Sequence, residues 1–163
     1  MVGMKKIPKS VSEHIANAKH YLEAADKHPA PTQNAVLILL LLIGWENIVI
    51  ADHELSAWAN EANLDPQIRK SHALKFKDLP GVTRIILGPK GTIPKEVNFS
   101  TGHDFEELRM ACQYGSNTES KDIAKIFKSG WHLDNLRNGL INKIGWEEMM
   151  LKIYNDLPST DKP

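Results

Sequence analysis

The sequence predicts an all-α protein, a helical bundle of five to six helices with one irregular insertion, in a single domain over residues 1–163. Three observations carry this reading. Apolar residues recur at helical spacing along most of the chain. Ala35 to Trp45 is one strongly apolar run, suited to the centre of a bundle. Proline and glycine gather between Lys77 and His103, where helical spacing lapses. The first three helices are expected within 11–76, the insertion at 77–103 and the C-terminal helices within 104–157.

The first helix is expected over about residues 11–27. Ser10-Val11-Ser12-Glu13 has the pattern of a capping box, and Val11, Ile15, Ala18, Leu22 and Ala25 share one face. Pro29 and Pro31 push their predecessors out of the helical region and end it. The second helix starts near Thr32 to Asn34 and reaches Trp58 or Asn60. A bilayer span needs about 20 apolar residues, so the run to Trp45 reads as a core helix and no membrane role is expected. Asp65-Pro66 opens a third helix as N-cap and first helical residue, running to about Phe76.

In the insertion, Thr83–Leu87 and Val97–Phe99 are able to pair as a short hairpin across Gly88 to Gly91. Asp104 is expected to cap a fourth helix ending near Gly115. Ser116 to Ser120 reads as a turn. A fifth helix follows from Lys121, with Ile123, Phe127, Leu133, Leu136, Leu140 and Ile144 as its buried residues and Gly130 as a possible kink. Gly145-Trp146 either opens a sixth helix or lies within the fifth, and the pattern stops at Leu157-Pro158.

Composition narrows the function classes. The chain has 20 basic and 20 acidic residues, so net charge supplies no bulk attraction to nucleic acid or an anionic membrane. One cysteine forbids an intrachain disulfide framework and fits a reduced thiol in the cytoplasm. Hydrophobic residues are 42% and charged residues 25%, the make-up of an ordinary soluble domain.

No pair of the seven histidines has the i, i+4 spacing of a helical metal site, and Glu46 has Val49 where a di-iron Glu-x-x-His motif needs histidine. No metal or other cofactor is expected. Gly88-Pro89-Lys90-Gly91 lacks the length and the Lys-Ser or Lys-Thr pair of a phosphate-binding loop. Cys112 reads as a structural thiol.

Two places stand out. Glu46 interrupts the most apolar helix, where a carboxylate needs a partner or a proton. Asn135, Asn138 and Asn142 follow i, i+3, i+7 on one helical face, with Asp134 and Arg137 spaced to pair. The amide stripe suits a polar dimer seam, an anion site at Arg137 or a solvated face.

At these segments the chain resembles the HEPN superfamily, and within it the AbiV-like abortive-infection proteins. The resemblance rests on the amphipathic Asn17–Ala25, the apolar second helix Leu37–Glu46, Ser71-His72-Ala73-Leu74-Lys75 and Leu136-Arg137-Asn138. It implies a bundle that dimerises through the motif-bearing helices. In active members an arginine holds the scissile phosphate, a polar neighbour positions it and a histidine moves protons, without metal. By match Arg137 takes the phosphate role, Asn138 the polar role, and Glu46 orients Arg137. The family's histidine or tyrosine is missing: Asn142 stands five residues after Arg137, and an amide exchanges no proton near neutral pH. His132, five residues before Arg137, is the nearest substitute in sequence.

The resemblance therefore implies a homodimer associated with RNA or with a phage-defence or toxin–antitoxin partner, carrying a decayed ribonuclease site. Two alternatives remain open: a helical protein–protein interaction module with no nucleic-acid role, and an enzyme acting on a small anion through Arg137 and residues of the insertion.

Overall fold

The computed structural model describes residues 6–28, 34–79, 82–86, 89–91, 95–99, 101–114 and 130–158. The elements, in chain order, are α1 (Lys9–Lys27), α2 (Asn34–Ala59), α3 (Gln67–Lys70), α4 (His72–Phe76), β1 (Val82–Ile86), β2 (Lys95–Phe99), α5 (Gly102–Tyr114) and α6 (Gly130–Asp156). The molecule is an all-α bundle, and its insertion carries one two-stranded antiparallel hairpin. In that hairpin Val82 faces Phe99 and Ile86 faces Lys95. The strands start one and two residues earlier than the spacing suggested.

The bundle is built around α2. Ile38, Leu41, Leu42, Trp45, Ile48, Val49, Leu55 and Trp58 are all buried along it. Around them pack Val11, Ile15 and Ala18 of α1, Phe105 and Leu108 of α5, and Leu136, Leu140 and Ile144 of α6. Each buried Val, Leu, Ile or Phe among these contributes about 1.5–3 kcal/mol through removal from water. Two glycines allow the closest approaches. A Cβ on Gly44 would stand 2.8 Å from Leu140 Cδ2, so the bare backbone lets α6 settle against α2. A Cβ on Gly102 would lie 1.9 Å from the Ala73 carbonyl oxygen, so only glycine permits the start of α5 to rest on α4.

The apolar character of α2 continues past Trp45, and Ala35–Ala59 is long and apolar enough to cross a membrane by length and composition. Its packing against five other helices, and the ion pairs of Glu46 and Glu54, are those of a core helix.

Several local expectations are corrected. The capping box at Ser10 does not form. Helix α1 starts at Lys9 after Pro8, and the Ser10 hydroxyl donates to Glu54 Oε2 at 2.5 Å. A buried carboxylate without a donor costs more than a first-turn amide that water can reach. The third helix is two short ones, because Ser71 is extended (φ −97°, ψ 116°) and its hydroxyl accepts from the Leu74 amide at 3.2 Å. The first piece starts at Gln67, one residue later than expected, with Pro66 at the cap position; Asp65 stands just before it, and its carboxylate accepts from the Gln67 amide at 2.9 Å. Asp104 does not occupy the cap position of α5. Thr101 does, and the two exchange reciprocal bonds: Thr101 N–H to Asp104 Oδ2 at 2.8 Å, Asp104 N–H to Thr101 Oγ1 at 3.2 Å.

Helix α6 runs unbroken through Gly145-Trp146, with Leu136, Leu140 and Ile144 buried and Leu133 half-buried. The prolines after α1, the turn at Ser116–Ser120, the helix start at Lys121, Ile123 and Phe127 lie outside the described residues, as does the side chain of His132.

Candidate functional site

Glu46 sits where α2, α4 and α5 meet, and it is only 7% exposed. Three basic side chains converge on it. Lys75 Nζ donates to Oε2 at 3.2 Å, His72 Nδ1 stands 3.0 Å from Oε1, and Arg109 Nε stands 2.6 Å from Oε1. The contacts on Oε1 are close ion pairs without the alignment of directed hydrogen bonds.

Local structure explains the convergence. Ser71 breaks the chain direction and caps α4, which places His72 and Lys75 one turn apart on the side facing α2. Trp45 Nε1 donates to the Lys75 carbonyl at 3.0 Å and ties α2 to α4 beside the cluster. Gly102 lets α5 approach, and Arg109 reaches Glu46 two turns later. A guanidinium and an ammonium then outnumber one carboxylate. His72, with its side chain one-third exposed, is the wettest member.

Arg137 is elsewhere. Its Nε and one terminal nitrogen bind the two oxygens of Asp26 on α1, at 2.6 and 2.9 Å. Both side chains are about two-fifths exposed. The carboxylate that orients Arg137 within the chain is therefore Asp26, not Glu46, which corrects the pairing that the resemblance implied. The Arg137 hydrogen bond holds the Asp26 carboxyl below its ordinary range, and the same bond raises the guanidinium.

The amide stripe also separates from Arg137. Leu136, Leu140, Ile144 and Glu147 form the inner face of α6. Asn138 and Asn142 are exposed and Asn135 is half-buried, on the outer face. Of the residues that the motif grouped, the structure brings Asn138 and Asn142 onto one surface, puts Arg137 at the α1 boundary and encloses Glu46 in the core.

Sequence reasoning missed three charged groups. Arg109 belongs to the helix face of Phe105, Leu108 and Cys112, and Glu147 to the face of Leu140 and Ile144. A charge at a core-facing position, the signal that singled out Glu46, was present at both. Glu54, 5% exposed, is held by Ser10 and by Arg69. Glu147, 1% exposed, lies 3.3 Å from Lys143, which also binds Asp52 at 2.6 Å. Burial, with the neighbouring Asp52 charge, pushes the Glu147 carboxyl up to about 7 against the pull of Lys143. Burial pushes the half-buried Cys112 thiol up to about 12, so it carries almost no thiolate at neutral pH.

No group of three or more metal-ligating side chains occurs among the described residues. Comparisons with protein-family models, with curated proteins and with solved structures each return no match.

Proposed function

We propose that this chain is a HEPN-like, AbiV-like helical protein that works by association. It forms a homodimer across the outer face of α6 in the cytoplasm, within a phage-defence or toxin–antitoxin system, and carries a ribonuclease motif that no longer cleaves. One observation carries this reading. Asn138 and Asn142 continue along the same face into Trp146, Met149 and Ile153, which are 54%, 45% and 47% exposed. Large apolar side chains on successive outward turns, extended by amides, suit a helix–helix seam. The state of the motif supports the loss of cleavage: Asp26 engages the Arg137 guanidinium, and Asn142 transfers no proton.

A second reading keeps an RNA role. Lys75 and Arg109 exceed Glu46 in charge, and His72 borders solvent, which favours contact with a phosphate.

Sedimentation of wild type and of Met149→Asp with Ile153→Asp tests the first reading. A dimer in the former and a monomer in the latter is expected, and a wild-type monomer at about 50 μM, well above ordinary interface dissociation constants, contradicts it. An RNA-cleavage assay is expected to show no activity with wild type or Arg137→Ala. Cleavage by wild type alone would restore the catalytic reading.

A further inference from the structure

Charge does not balance where α2, α4 and α5 meet. Lys75 and Arg109 share Glu46 as their one carboxylate among the described residues, and their side chains are only 4% and 16% exposed. One enclosed positive charge is therefore left over, and enclosed charge is costly until an opposite one meets it. The surrounding chain has the same sign. Residues 69–77 include Arg69, Lys70, His72, Lys75 and Lys77 and no acidic residue, within a protein of zero net charge. Lys70 and Lys77 are exposed and form no ion pair among the described residues.

Two members of the cluster lead from the core to the surface. His72 Nδ1 is buried against Glu46 Oε1, yet the side chain is 33% exposed, so the opposite edge of the ring, with Nε2, meets water. The ring stacks on the fully buried Phe76 at a centroid distance of 6.5 Å, which fixes its plane. Arg109 Nε lies 2.6 Å from the same Oε1. Its Nη1 donates to the exposed Gln113 at 2.8 Å, and Nη2 has no protein partner among the described residues. The two bases that share one carboxylate oxygen are thus also the two that reach solvent. Neither His72 Nδ1 nor Arg109 Nε makes a directed hydrogen bond. Buried donors in that state are costly, and an added acceptor toward which they can turn recovers the cost.

We propose that His72 and Arg109 form the mouth of a binding site for a phosphomonoester dianion. This rests on the phosphate-contact reading above and narrows it to a terminal phosphate rather than an internal diester. Charge makes the choice. A phosphomonoester carries about −1.5 to −2 at neutral pH, whereas a diester carries a single negative charge. A dianion at the mouth holds a proton on the imidazole. Lys75, Arg109 and His72 then oppose Glu46 with two positive charges in excess, which the dianion matches. Arg109 and His72 donate to the phosphate oxygens, and such charge-assisted bonds are the strong ones. Lys75 stays on Glu46 and acts through its charge alone. Lys70 and Lys77 attract the anion from solution.

The test is calorimetric titration of the full chain, at constant ionic strength, with methyl phosphate and with dimethyl phosphate. Methyl phosphate is expected to bind saturably in the millimolar range, at least about tenfold more tightly than the diester. Two surface changes should each weaken it by about tenfold while the protein folds normally: His72→Gln, and Gln113→Glu, which sets a competing carboxylate beside Arg109. Unchanged affinity in both would overturn the proposal, because the exposed lysines alone would then hold the anion. Equal binding of the two esters, or no response by about 50 mM, would overturn it too. A short single-stranded RNA with a terminal phosphate, compared with its terminal-hydroxyl form, separates this proposal from the RNA reading. Tighter binding of the phosphorylated form supports both. Equal binding of the two RNAs without binding of methyl phosphate would sink the terminal-phosphate site and leave the RNA reading standing. Binding of methyl phosphate but of neither RNA would keep the site and remove the RNA reading.

Discussion

Glu46 and Arg137 are the two charged residues that the sequence resemblance joins, and the structure gives them opposite surroundings. Glu46 is enclosed and met by three basic groups from α4 and α5. Arg137 lies at the surface, held flat against one carboxylate of α1. Removal of one partner from a buried network leaves charges without water or counter-charge, at about 3–5 kcal/mol. Removal of one partner from an exposed bridge leaves a side chain that water solvates, at about 0–1 kcal/mol. Geometric quality alone does not predict importance: the bidentate Arg137–Asp26 pair is the better aligned, and burial makes the Glu46 contacts the costlier to break.

The largest effect expected from this contrast is in Glu46→Ala. Urea unfolding should show a loss of about 3–5 kcal/mol, because Lys75 and Arg109 would remain in the core facing no carboxylate. A loss below 1 kcal/mol would place the cluster in water and erase the contrast.

Glu147 sharpens it with pH. Its carboxyl is raised from the ordinary 4.5 to about 7, so between those values the folded chain binds more protons than the unfolded one. The group's contribution therefore falls as pH rises through that window, by an amount of order 3 kcal/mol at 1.36 kcal/mol per unit. Glu147→Gln should flatten that part of the stability–pH curve and be the more stable protein at pH 8. A parallel curve for the variant would show that Glu147 is solvated.

Arg137→Ala should cost less than about 1 kcal/mol, as half-exposed pairs do, and the cost should shrink in high salt. Asp26 is depressed by this bond, so its small contribution is present above the ordinary carboxylate range and fades as pH falls below it. A change of 3 kcal/mol would mean that the bridge is buried, for example under a second copy.

The smallest expected effect is at Glu61, which follows α2 with φ +51° in the left-handed region. Its amide bonds the Trp58 carbonyl at 3.2 Å and Ala62 bonds that of Ala57 at 2.8 Å, the pattern that usually ends on glycine. Glu61→Gly should raise the thermal midpoint slightly, by about 0.5 kcal/mol in stability after the entropy of the unfolded glycine is counted.

The elements that follow from local rules were legible in the sequence. Helix α2 declares itself through its apolar circumference, and Asp65-Pro66 marks a helix start because capping is decided within a few residues. Ser10 misled because the same hydroxyl that caps a helix in isolation serves Glu54, 44 positions away, in the folded chain. Ser71 hid a break because apolar spacing carries across it into α4. Glu46 was recognisable as a buried carboxylate from its neighbours alone. Its partners were not, since helical periodicity tells which face a residue occupies and not which of several basic residues on other helices will meet it.

The most direct test of this separation is a pair of double-mutant cycles on stability, Arg137→Ala combined first with Asp26→Ala and then with Glu46→Gln. The structure predicts coupling of about 0.5 kcal/mol in the first cycle and additivity, within about 0.3 kcal/mol, in the second. Coupling above 1 kcal/mol between Arg137 and Glu46 would contradict it and reunite the two residues in one site.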